Sequence, residues 1–376
     1  MQYLVLLASV FLFVAPARAD SLDSVQSKVF TTRNFTLESG TVLPELTLAY
    51  ETYGTLAPDG QNAALITHGY TSSHHAAGRY AIDGAPPGHR AGDIGSWDKL
   101  IGPGKAIDTR RLFVVSSNML GSSYGSTSPR SINPTTGRRW GPDFPHISVA
   151  DIVRAQKLLL DSLGVEKLVA VAGPSYGGYQ AFQWGITFPN FLQGVVAVET
   201  APKADTTFVS MQWMADQLAA DPNWNGGWYY EKTGAIGKTM VDIRVAMLKR
   251  AGIEAQLKAK YPDRAQREAA IVKSAAEWAQ VFDGHSLIVL RRALEGFDAQ
   301  KEFSRIKARV LYVLSRTDQS FPPTIAPGVM NALKAAGVDA RYVEIDSEKG
   351  HLASRVDAEK WAADLRKFMA ELMDRS

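Results

Sequence analysis

The sequence predicts an α/β fold, a mostly parallel sheet flanked by helices on both sides, with a helical cap inserted before the last strands. Strand-like runs alternate with amphipathic helices up to about residue 201 and again after residue 300. Between them, 202–300 is rich in helix formers and shows no obvious buried strand. A near-continuous apolar run, Lys167 to Ala172, passes through glycines into a helix. Strand–helix alternation implies parallel strands covered by helices, and an unbroken apolar run implies a strand buried on both faces.

Residues 1–19 read as an export signal. Leu4 to Val14 is apolar, and Ala17-Arg18-Ala19 precedes polar Asp20, although Met1 to Tyr3 carries no Lys or Arg. About 11 apolar residues are too few to span a bilayer and suit a signal-peptide core. The expectation is a secreted or periplasmic protein with no stable membrane span once the signal is removed.

The first part of the core is expected at 20–201. Leu43 to Tyr53, Ala63 to Thr67 and Leu112 to Ser116 have strand character. Val149 to Leu163 places Val149, Ile152, Val153 and Leu159 on one helical face. After Lys167 to Ala172 a helix is expected from about Gly178, then a strand over Gly194 to Val198. The second part of the core, 301–376, reads as strand Arg309 to Leu314, helix Ala326 to Ala336, strand Ala340 to Ile345 and helix Ala353 to Met373. The cap over 202–300 should lie above the carboxyl ends of the strands, where open α/β sheets bind ligands.

The chemistry is carried by Gly173-Pro174-Ser175-Tyr176-Gly177, directly after a strand and directly before a helix. That context is what the nucleophile elbow of the α/β-hydrolase fold requires. Glycines two residues either side of the serine remove side chains that would collide with strand and helix, lifting the hydroxyl above the sheet. A serine needs a base to take its proton, and in this fold acid and histidine follow the serine in that order. Of seven histidines only His285 and His351 follow Ser175. His351 lies in the loop after the last strand, whereas His285 falls inside the cap and reads as structural. Asp318, in the loop that ends strand Arg309 to Leu314, is the expected acid; Asp346 and Glu348 stand too close to His351 in sequence. The oxyanion donors are expected to be the backbone N–H groups of Tyr176 and of Tyr70, after His68-Gly69.

Other chemistries are disfavoured. The chain has no cysteine, which excludes disulfides, thiol catalysis and cysteine-based zinc sites. His68, His74 and His75 lack an accompanying carboxylate cluster and read as loop and pocket-lining residues, so no metal is expected. Gly102 to Ala106 lacks the spacing of a P-loop, and no Gly-x-Gly-x-x-Gly opens a helix, so no cofactor is expected. A net charge of +3 without a basic stripe makes nucleic acid an unsuitable partner. The partner class is a small-molecule ester or acyl substrate. Three filled triad positions in order argue against a non-catalytic binding protein.

Several ordered stretches resemble the homoserine O-acetyltransferase family. They include Tyr50-Glu51-Thr52-Tyr53-Gly54-Thr55-Leu56, Leu100 to Lys105, Asn118 to Thr127, Ser131 to Pro134, Gly141 to Pro145, the elbow with Gln180-Ala181, and Leu290 to Leu294. The resemblance implies the same triad of Ser175, Asp318 and His351, a cap arginine that grips a substrate carboxylate with Arg244 as its equivalent, and a homodimer formed through the caps. Acetyltransferases of this family carry Gly-His-Asp at the histidine, where this chain has Leu352, and Met after the serine, where it has Tyr176. An apolar side chain cannot partner a substrate ammonium, and acetyl-CoA is a cytoplasmic metabolite. These departures lead to the expectation of an exported serine hydrolase that cleaves a carboxylic ester through an acyl-enzyme. The alternative is an acyl-CoA-dependent O-acyltransferase of the homoserine O-acetyltransferase type, on which the triad itself is silent.

Overall fold

The computed structural model describes residues 22–374 apart from 83, 87, 205–210 and 233; the export signal read at 1–19 lies outside the described residues. The chain begins with β1 (Lys28–Thr36), β2 (Val42–Tyr53), β3 (Ala63–Ile66) and the two-residue pair β4 (Ile101–Gly102) and β5 (Ile107–Asp108). Then come β6 (Phe113–Ser117), α1 (Val149–Ser162), β7 (Leu168–Pro174), α2 (Tyr176–Thr187) and β8 (Leu192–Val198). Five helices follow among the described residues: α3 (Met211–Ala219), α4 (Gly237–Arg250), α5 (Ile253–Leu257), α6 (Arg264–Ala279) and α7 (Gly284–Arg292). The last part holds β9 (Arg309–Ser315), α8 (Ala326–Ala335), β10 (Ala340–Ile345), α9 (Ala353–Val356) and α10 (Ala362–Met373).

Eight strands form one sheet in the order β1-β2-β6-β3-β7-β8-β9-β10. β1 with β2 and β2 with β6 run antiparallel; every later pairing is parallel. Alternate residues serve opposite layers, as pleating demands. Leu65, Val115, Val171, Val195 and Val310 join the core beneath α1, α2 and α8, while Ile66, Val114, Ala172, Val196 and Leu311 face Trp361, Leu365, Phe368 and Leu372. Helix α1 starts at a reciprocal cap, with Ser148 accepting from the Asp151 N–H and Asp151 accepting from the Ser148 N–H.

Three differences from the sequence reading have local causes. β1 lacks a buried face, with only Phe35 fully covered, and so carries no alternating signal. Helix α2 starts at Tyr176 rather than near Gly178, because the chain enters it straight from the elbow. The helix expected over Ala353 to Met373 breaks between α9 and α10: Trp361 turns inward to full burial and its Nε1 donates to the Ser354 carbonyl at 3.0 Å. The helical insertion enters and leaves through one neck. There Lys203 bridges Asp298, the Ala204 N–H donates to the Phe297 carbonyl, and the Ala299 N–H donates to the Pro202 carbonyl.

Candidate active site

Ser175 has φ 56° and ψ −119°, a left-handed conformation rarely adopted by a residue with a side chain. Such a residue costs about 1–3 kcal/mol and persists only where its surroundings enforce it. Here the enforcement is visible. A Cβ on Gly173 would lie 2.0 Å from Thr67 Oγ1, one on Gly177 would lie 2.7 Å from the Thr67 carbonyl, and one on Gly178 would lie 2.2 Å from the Thr200 methyl. Thr67, at the end of β3, donates through Oγ1 to the Gly177 carbonyl at 2.8 Å and thereby binds strand to elbow. The Ser175 N–H donates to the Val198 carbonyl at 2.8 Å, and Thr200 Oγ1 donates to the Ser175 carbonyl at 2.8 Å.

Asp318 and His351, 33 residues apart, meet with 2.7 Å between Asp318 Oδ2 and His351 Nδ1. Asp318 is fully buried after β9, and its other oxygen accepts from the Ser320 and Phe321 N–H groups. Burial works against protonation of His351, yet the charge and hydrogen bond of Asp318, with Glu199 beyond it, hold its pKa above the ordinary value. Nδ1 bonded to a carboxylate leaves Nε2 as the acceptor nitrogen that a general base needs. Ser175 and His351 line one cavity of about 290 Å³ at the carboxyl ends of the parallel strands, roofed by cap residues such as Met214, Arg244 and Leu248.

Tyr70 and Tyr176 border the same cavity. Their rings stack, and their hydroxyls donate upward to α7, Tyr176 to the Leu290 carbonyl at 2.9 Å and Tyr70 to the Leu287 carbonyl. Neither backbone N–H donates to a backbone carbonyl among the described residues. Arg244, on α4, donates to Thr71 Oγ1 at 2.6 Å and lies 4.9 Å over the Trp278 ring. Burial lowers its pKa to about 10, and its Nε is buried without a partner. Leu352 lines the cavity and packs against the apolar cluster of Leu248, Ile253 and Ile271 in the cap.

The reading of His74 and His75 as pocket-lining residues is corrected. Both lie away from the cavity, packed around the fully buried Glu51, which also accepts from the Tyr53 and Tyr80 hydroxyls. His75 Nδ1 is 3.1 Å from Glu51 Oε2, and His74 Nε2 is 2.8 Å from Ser27 Oγ. Among the described residues no group of three or more His, Asp or Glu side chains is arranged to hold a metal ion. His68 does border the cavity; burial lowers its pKa to about 4, and its Nε2 accepts from the Met119 N–H. His285 packs inside the cap between Trp224 and Tyr229. Sequence reasoning missed Thr67 and Glu199. Their only signals are a threonine ending one buried strand and an acid directly following another.

Comparison with known proteins adds four findings. Residues 65–356 match the family model described as "alpha/beta hydrolase fold". The chain is 35% identical over 368 residues to a homoserine O-acetyltransferase of Moorella thermoacetica, covering 89% of this chain and 93% of that protein. Among solved structures, a homoserine O-acetyltransferase from Bacillus anthracis superposes with TM-score 0.81 at 28% identity, covering 92% of this chain and 98% of the other. Esterase E22 superposes with TM-score 0.81 at 29% identity, covering 92% of this chain and 100% of the other. The near-full-length similarity to homoserine O-acetyltransferases overturns the expectation of an exported ester hydrolase and favours the acyltransferase alternative. The expectation rested on Leu352, on Tyr176 in place of Met and on the export signal, and none of these bears on the acceptor as directly as the near-full-length similarity does. The Leu352 side chain packs with the cap, and its apolarity does not select water over an alcohol as the acceptor.

Proposed function

The chain belongs to the homoserine O-acetyltransferase family of the α/β-hydrolase fold, and we propose that it is an acyl-CoA-dependent O-acyltransferase working through Ser175, His351 and Asp318. The observation that carries this reading is the Asp318–His351 pair beside a strained Ser175, under a helical cap, in a chain related over nearly its whole length to such enzymes.

In the proposed cycle, His351 Nε2 takes the Ser175 proton as Oγ attacks the thioester carbonyl. The N–H groups of Tyr70 and Tyr176 receive the oxyanion. Collapse breaks the carbon–sulfur bond, and the imidazolium returns its proton to the departing thiol. The acceptor alcohol then gives its proton to His351, attacks the acyl-serine carbonyl and leaves as an ester, restoring the Ser175 hydroxyl. Asp318 holds the imidazole tautomer throughout. Arg244 supports an acceptor that carries a carboxylate, because its half-buried guanidinium has a donor without a partner. The names of the relatives point to homoserine as that acceptor.

Intact-mass spectrometry after mixing with acetyl-CoA tests this reading. One acetyl group per chain, absent from Ser175→Ala and discharged by homoserine, is the expected result. A chain that stays unacetylated contradicts it.

A further inference from the structure

Glu199 is a carboxyl that the proposed cycle does not use. It follows β8 with φ 46°, a strained conformation for a residue with a side chain, and is 1% exposed. Its N–H donates to the Val313 carbonyl of β9 at 2.7 Å. Its Oε1 accepts from the Ser354 N–H at 3.0 Å and its Oε2 from Ser354 Oγ at 2.7 Å. Ser354 stands three residues after His351, in α9, which directly follows the turn that carries the imidazole.

The segment Val198-Glu199-Thr200 thus touches all three chain segments of the site. It holds the elbow through Val198 and Thr200, the acid-bearing strand through the Glu199 N–H, and the histidine turn through the Glu199 carboxyl. Packing alone does not call for an acid here, since β8, which precedes it, is apolar and buried apart from Gln193. Burying a carboxyl is costly. The charged groups that face it are His351 from the turn, Arg355 from α9 and Asp318 from the loop after β9. Burial pushes its pKa up to about 7, opposed by His351, reinforced by Asp318 and opposed again by the Ser354 bonds.

We propose that Glu199 is a positioning residue for His351: its carboxyl fixes the turn that carries the imidazole and sets a second negative charge behind the imidazolium. This rests on the reading of His351 as the base for Ser175, so the test separates the two. The rate at which a fluorophosphonate modifies Ser175 is followed across the neutral range in wild type, Glu199→Gln, Glu199→Asp and Ser354→Ala. No modification of the wild type overturns the base assignment.

Glu199→Gln should slow modification about 10–100-fold, up to the scale of a catalytic group displaced by about 1 Å. It should also move the acidic limb to lower pH, because a neutral amide no longer favours protonated His351. Glu199→Asp should restore the limb, and Ser354→Ala should slow the reaction with the limb unmoved. A wild-type limb in Glu199→Gln overturns the proposal. Should that variant fail to fold, NMR titration of the wild-type His351 ring decides. A second, smaller step as Glu199 ionises supports the coupling, and a single step overturns it.

Discussion

The rings of Tyr70 and Tyr176 stack with centroids 6.0 Å apart and planes 11° from parallel, and both hydroxyls donate to backbone carbonyls of α7. The two residues proposed to supply the oxyanion donors are therefore held against each other and tied to the cap. Tyr176→Phe removes the donor to the buried Leu290 carbonyl and should cost about 1–3 kcal/mol of stability, the penalty of an unsatisfied buried group. Urea unfolding measures it. Fluorophosphonate labelling of Ser175 should persist, since the N–H is unchanged; an unaltered unfolding curve contradicts the role given to this tie.

Gly173→Ala tests the close approach of β3 to the elbow. The new Cβ would lie 2.0 Å from Thr67 Oγ1 and 2.7 Å from the Thr67 carbonyl, and the second of these is backbone that cannot rotate away. A loss of about 1–3 kcal/mol or more is expected from such overpacking. Thermal denaturation that matches wild type would show that the strand end yields freely.

Asp318→Asn replaces an acceptor facing His351 Nδ1 with an amide that can present either a donor or an acceptor. The imidazole is then free to take the wrong tautomer, and acyl transfer should fall about 10⁴-fold. Single-turnover acetylation measures the loss. A reduction below tenfold would remove Asp318 from its assigned place.

The pH dependence follows from the His351–Asp318 pair. Protonated His351 cannot accept the serine proton, and its pKa lies above the ordinary 6.5. The acylation rate should therefore fall as pH drops through a midpoint higher than 6.5 and plateau above it. A midpoint below 6.5 in kcat/KM for acetyl-CoA contradicts the direction assigned to the pair.

Arg244→Ala separates the half-reactions. Loss of a charge-assisted bond to the acceptor carboxylate should raise the acceptor KM about 10–100-fold. Acetylation of Ser175 should be nearly unchanged. Equal losses in both steps would place Arg244 in cap packing against Trp278 instead.

Much of this architecture is legible in the sequence because buried strands leave apolar runs. β7, β8 and β9 stand where unbroken Val, Leu and Ala stretches mark them. The elbow is legible because steric crowding by Thr67 and Thr200 restricts its neighbours to glycine. Asp318 and His351 could be selected because both follow strands in the required order. The rest depends on contacts far apart in the chain. Glu199 reaches Ser354 across 155 residues, and Glu51 gathers His75 and Tyr80 from a loop more than 20 residues away; neither leaves a periodic trace. Leu352 carries no local signal of its own, because its partners Leu248 and Ile253 lie in the cap, far away in the chain. The break before α10 was hidden because Trp361 continues an acceptable helical composition.

The most direct test of the central claim is the fate of the acyl group on one enzyme sample. Acetyl-CoA is supplied with and without homoserine, free thiol is followed continuously, and Ser175→Ala serves as the control. Thiol release that depends on homoserine, accompanied by O-acetylhomoserine and abolished in the variant, is the predicted result. Untouched acetyl-CoA, from enzyme that hydrolyses a simple acetate ester through Ser175, would contradict it.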